Sequence, residues 1–189
     1  MLEQVAARIP PVAGSDPVLV AIDGVDAAGK TVFADELAGL LRVRGRAVAR
    51  VSVDDFLRPP EDRHRRGRHS PSGYFLDSFD YDLLRRVILE PRRPGTVLVV
   101  DGIFVHRDEL ADLWQLSIYL DVPFDVSVAR MAARDDISPD PGDALVRRYV
   151  DGQRLYLERC HPRGRADIVI DNTDWDRPTV VGLSSSESS

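Results

Sequence analysis

Residues 24–31 read GVDAAGKT, and residues 18–22 just before them read VLVAI. Lys30 is the only lysine of a chain whose Lys and Arg residues total 25; every other one is arginine. A chain that meets its other needs for positive charge with a guanidinium keeps one ammonium here. Lysine is a compact charge on a thin stem and reaches into a crowded cradle, where the planar guanidinium fork needs more room. Gly24, Gly29, Lys30 and Thr31 fall on the spacing G-x-x-x-x-G-K-[ST]. At that spacing backbone N–H groups wrap phosphate oxygens, the lysine reaches the outer phosphates, and the hydroxyl ligates Mg²⁺.

The flanks agree with that reading. VLVAI is a short, β-branched run that suits a buried strand, and residues 31–42 carry helical apolar spacing at Val32, Leu37, Leu40 and Leu41. A loop joining strand to helix is what a phosphate cradle requires, and a bare glycine turn capping a helix is the blander alternative. The expected nucleotide-binding segment is therefore Gly24, Val25, Asp26, Ala27, Ala28, Gly29, Lys30, Thr31 and Val32.

At 189 residues, 43% hydrophobic and 30% charged, the composition is that of an ordinary soluble globule. No stretch is long and apolar enough to span a bilayer. The first residues lack the basic start and apolar run of a secretory signal, so a cytoplasmic setting is expected. A single cysteine, Cys160, forms no intramolecular disulfide and is given no role. The net charge of −6 argues against nucleic acid or an anionic membrane as partner and leaves a small molecule, with homo-oligomerisation open.

Further strands are expected at 47–53, 96–100, 116–120 and 166–170, and helices at 81–89, 108–113, 125–134 and 143–159. Residues 58–73, rich in Arg, His, Pro and Gly, read as a long polar loop. Strands alternating with helices indicate an α/β fold: a mostly parallel five-stranded sheet with helices on both faces, and ligands at the carboxyl ends of the strands. One domain is expected over 1–181, with a lid near 134–148 and a disordered tail at 182–189.

Phosphoryl transfer needs Mg²⁺ near the phosphates, an acceptor hydroxyl in line, and cations to neutralise spreading charge. Asp54 and Asp55 follow the second strand, where a carboxylate can accept a hydroxyl proton or cap a turn. Asp101 closes the third strand, as a metal-supporting acid does, although Asp-Gly also makes simple turns. Asp23 suits orienting the loop. In residues 73–82, GYFLDSFDYD, the acids Asp77, Asp80 and Asp82 stand among aromatic rings, equally suited to holding a sugar or to starting a helix. Arg130 and Arg134 share a helix face before the Gly/Pro/Asp-rich run DDISPDPGD, fitting a closing lid or a solvated basic helix end. Arg63, Arg65, Arg66 and Arg68 form a basic loop that suits an anionic substrate group or plain solvation.

In this order the motifs resemble the uridine kinase branch of P-loop kinases, which also includes phosphoribulokinase and bacterial pantothenate kinase. The likeness covers most of residues 18–171 and implies a P-loop NTPase three-layer sandwich with ATP and Mg²⁺ as cofactors. Ser52-Val-Asp54-Asp-Phe56 is similar to the family's S-x-D-x-F segment, which implies that Asp54 is the general base facing a nucleoside 5′-hydroxyl. Tyr74, Phe75, Asp77 and Asp80 lie in a stretch similar to the family's sugar-binding segment. Asp101-Gly102-Ile103 resembles its E-G-[IL] with Asp for Glu, and Arg130-x-x-x-Arg134-Asp135 resembles its entry to the lid. The resemblance implies catalytic roles for Asp54, Lys30, Arg130 and Arg134, and a metal site at Thr31 and Asp101. It implies a phosphotransferase acting on a nucleoside hydroxyl, uridine or cytidine; a sugar, sugar phosphate, sugar acid or pantothenate is the alternative. An ATP-dependent switch acting on a protein partner, or a binder without turnover, is the reading from other classes.

Overall fold

The computed structural model describes residues 1–12, 14 and 16–184. Its architecture grows out of β1 (Val18–Gly24), in which every residue is buried. Val18, Val20 and Ile22 pack on one side against Phe33, Leu37 and Leu41 of helix α2 (Lys30–Val43). Leu19 and Ala21 point the other way, into a second core with Leu98, Val100 and Tyr156. A strand covered on both faces has no polar face to show, and its sequence is accordingly an unbroken apolar run.

Around β1 stand β2 (Ala47–Ser52), β3 (Thr96–Asp101), β4 (Leu116–Asp121), β5 (Ile168–Asp171) and β6 (Thr179–Leu183). Among the described residues they form one sheet in the order β2-β3-β1-β4-β5-β6. All pairings are parallel except β5 with β6. The sheet is thus the middle of three layers. Helix α1 (Leu2–Arg8) adds Val5 and Ala6 to the α2 side. The opposite layer takes α4 (Pro71–Asp77), α5 (Tyr81–Ile88) and part of α7 (Ala144–Cys160), while α6 (Phe124–Asp135) precedes α7 in the chain. Two helices of one turn, α3 (Pro60–Arg63) and α8 (Pro162–Arg165), complete the set.

Four expectations are corrected. The sheet has six strands, not five: β6 alternates exposed and half-buried residues at the sheet edge, so its apolar signal is weak. Gly182 and Leu183, placed in the expected tail, pair instead with Val169 and Ile168 in the sheet; residues 185–189 of that expectation lie outside the described residues. Residues 108–113 form successive turns rather than a helix, with Leu110 N–H donating to Arg107 O and Leu113 N–H to Leu110 O. Their buried leucines imitate a helical period three residues apart. The polar stretch 58–73 is not all loop, since Pro60 starts α3 and Pro71 starts α4, whose first turn is capped by the Ser70 hydroxyl accepting from Gly73 N–H.

Candidate active site

The loop after β1 leaves the sheet where strand order reverses: the chain runs from β1 outward to β2, and later from β3 across β1 to β4. That crevice is where open α/β sheets hold ligands. Gly29 sits there at φ +94, a left-handed backbone, and a Cβ on it would fall 2.7 Å from the Trp175 ring. Glycine alone satisfies both constraints. Lys30 Nζ donates to Gly24 O at 3.1 Å and Val25 O at 2.8 Å, so the ammonium lies across the loop.

Thr31 Oγ1 donates to Asp101 Oδ2 at 2.9 Å, and Asp101 Oδ1 accepts from Arg50 Nη2 at 2.6 Å. This brings the first turn of α2 to the end of β3, an outcome of the parallel register that pairs Ile22 and Ser52 with Asp101. A hydroxyl beside a carboxylate is an oxygen set of the kind Mg²⁺ takes when phosphates complete its shell. Gly102 then leaves room for Val53, which a Cβ would approach to 2.3 Å. Val53 opens the 3₁₀ turn Val53–Phe56, whose first residues carry Asp54; Ser52 Oγ accepts from Asp54 N–H. Asp54 is exposed, with its side chain lining the cleft.

The cleft encloses about 630 Å³. Of the expected loop residues, Asp26, Ala27, Gly29, Lys30, Thr31 and Val32 line it, whereas Val25 and Ala28 turn into the core and Gly24 lies beneath. Asp26 accepts from Tyr74 Oη at 2.8 Å and Gln153 Nε2 at 3.0 Å, and its own N–H donates to Gln153 Oε1. Burial pushes the Asp26 carboxyl up while Lys30 pulls it back, and the same burial, with Asp26 beside it, raises the Tyr74 phenol. The loop is thereby tied to α4 and α7.

Arg130 and Arg134 both line the cleft. Arg130 Nη2 donates to Asn172 O and Thr173 O, and its guanidinium lies 4.0 Å from the Trp175 ring centroid. Arg134 makes two hydrogen bonds to Asp135. The expected lid region holds the end of α6, an irregular link and the first turn of α7.

Of the expected substrate residues, Asp54 and Tyr74 line the cleft, and Phe75, Asp77 and Asp80 do not. Phe75 is buried edge-on against Phe104. Asp77, 1% exposed, accepts from Arg65 Nη2 at 2.6 Å and Arg66 Nε at 2.7 Å. Asp80 caps α5 by accepting from Leu83 N–H. Asp23 is fully buried and accepts from His106 Nδ1, Tyr156 Oη and Gly24 N–H, which orients the loop from below. The sequence offers Arg148, with Arg147, only as a less specific lid arginine, and it does not single out Tyr149, Trp175 or Gln153. Arg148 and these three reach the loop from α7 and the β5–β6 connection, and no local spacing marks such long-range neighbours. The rarity of tryptophan, two in the chain, was the one available signal for Trp175.

A phosphate-binding loop at the switch point of a parallel sheet, with a hydroxyl–carboxylate pair beside it, defines the P-loop nucleotide-binding class. No protein-family model matches the chain. A uridine kinase from Leuconostoc citreum is 26% identical over 188 residues, covering 83% of this chain and 88% of that one. Among solved structures, a protein described as a possible uridine kinase from Bacillus stearothermophilus superposes with a TM-score of 0.68 at 21% identity over 89% of this chain and 96% of its own. One described as a fructose transport system kinase from Silicibacter sp. TM1040 gives 0.66 at 21%, over 84% and 93%. These two structures share the fold. The chain is similar to uridine kinases in sequence and shares the P-loop kinase fold, a likeness that marks it as a kinase. No helix among the described residues is long and apolar enough to cross a membrane.

Proposed function

We propose that this kinase moves the γ-phosphate of ATP to a hydroxyl of a small metabolite in the cytoplasm. The observation that carries this reading is one cleft lined by Lys30, Thr31 and Asp54, with Asp101 hydrogen-bonded to Thr31. The loop N–H groups and Lys30 hold the phosphates. Thr31 and Asp101 would hold Mg²⁺, which would supply positive charge beside the phosphates. Asp54 accepts the proton of the acceptor hydroxyl as its oxygen attacks Pγ; the bond from Pγ to the β,γ-bridging oxygen breaks, and ADP leaves. Arg130 and Arg134 add positive charge over the phosphates. Kinship favours a nucleoside 5′-hydroxyl as acceptor, since the matched relatives are named for uridine. Asp54→Asn tests the assignment: transfer should fall by about three orders of magnitude with ATP affinity unchanged. Transfer at the parent rate would remove Asp54 from the role of base.

A further inference from the structure

Arg148 is 6% exposed and lines the cleft from the second turn of α7. Its guanidinium lies 5.1 Å from the Tyr74 ring centroid and 5.3 Å from that of Tyr149. Its Nε meets no hydrogen-bond acceptor, and among the described residues no carboxylate or carbonyl pairs with the group. The chain's other deeply buried arginine in that layer shows what is missing. Arg107, 4% exposed, makes two hydrogen bonds to Glu109 and one to Phe75 O. A guanidinium removed from water without a counter-charge is costly, and two aromatic rings replace only part of its hydration.

Arg63 comes from the same β2–α4 connection as Asp54 and lines the same cleft, and its Nε too is buried without a partner among the described residues. Its neighbours Arg65 and Arg66 are engaged by Asp77. Arg63 and Arg148 also act on one point: desolvation, then the charges of Arg148, Arg63 and Arg68, hold His64 below its ordinary value. Two guanidinium groups unpaired among the described residues face one cleft, and Arg148 offers planar donors that suit a phosphate or a carboxylate.

We infer that Arg148, with Arg63 lining the same cleft, binds a negatively charged group on the acceptor, a phosphate or a carboxylate, so that the hydroxyl phosphorylated here belongs to an anionic metabolite and not to a neutral nucleoside. The inference rests on the kinase reading above and narrows its acceptor against the direction of kinship.

Binding measured without turnover separates the two. With the donor site filled by Mg²⁺ and a non-hydrolysable ATP analogue, titration calorimetry compares inorganic phosphate, D-ribose 5-phosphate and D-gluconate with D-ribose and uridine. At least one anionic probe should bind about tenfold or more tightly than the neutral ones, and Arg148→Gln should abolish that difference while ATP-analogue affinity stays the same. Preference among the three anions tells phosphate from carboxylate. Should Arg148→Gln fail to fold, Arg63→Gln, at the end of a one-turn helix, gives the same readout. Equal binding of neutral and anionic probes, no binding by any of the anions, or discrimination that survives the substitutions overturns the inference. Anion binding without phosphoryl transfer would leave it standing and remove the kinase reading instead.

Discussion

Lys30 holds its ammonium 2.8 Å from Val25 O, inside a loop whose Gly29 has no room beside Trp175. Lys30→Arg keeps the charge and widens the head. ATP affinity and transfer should each fall at least about tenfold, the weight of one charged hydrogen bond, in titration and rate assays; parent-like affinity would mean that charge alone matters at this position. At this scale the sequence was legible wherever chemistry is written in consecutive residues. Gly24, Gly29, Lys30 and Thr31 carry their spacing with them, and the structure brings Thr31 to Asp101. Tyr74, expected at the substrate, lines the cleft with its hydroxyl held by Asp26, a partner the sequence does not mark. Arg148 stood in the sequence as one arginine among many, because what distinguishes it is burial without a partner, a property of its surroundings.

The connection from β2 to α4 is the element that most departs from its reading. Its basic run does not form one surface: Arg65 and Arg66 close on Asp77, Arg63 enters the cleft, and Arg68 stays exposed. Burial alone would raise the Asp77 carboxyl, but the two arginines bring it below its ordinary value of 3.8. A carboxyl whose folded value lies below its unfolded one adds stability above the unfolded value and loses it as pH falls through the folded one. Asp77→Asn should therefore cost about 1–2 kcal/mol at neutral pH, toward the lower end for charged hydrogen bonds because both arginines are half exposed. In denaturant titrations the gap from the parent should close in acid below 3.8; a gap that persists there would show that shape rather than charge holds this connection. Helices α2, α5, α6 and α7 were readable because each carries a sustained apolar period. Residues 108–113 were misread because leucines three apart fit tight turns as well as a helix.

For the whole molecule, strand–helix alternation sufficed to expect a parallel sheet with its ligand edge at the strands' carboxyl ends, and the order β2-β3-β1-β4-β5-β6 places the loop at the switch point. The edge strand β6 escaped because one sparsely buried strand contributes little apolar pattern. The far wall of the cleft escaped as well: Arg148, Tyr149 and Trp175 come from more than a hundred residues beyond the loop, and only folding gathers them. That gathering carries the central claim, a γ-phosphate donor site and a hydroxyl acceptor site in one cleft. The measurement that tests it most directly is transfer from γ-labelled ATP with Mg²⁺ to a panel of uridine, cytidine, D-ribose, D-ribose 5-phosphate, D-gluconate and pantothenate, with product masses determined. One acceptor should gain a phosphate as ADP forms in equal amount, with the anionic members ahead of the neutral ones. ATP that binds tightly while no acceptor gains a phosphate would contradict the account.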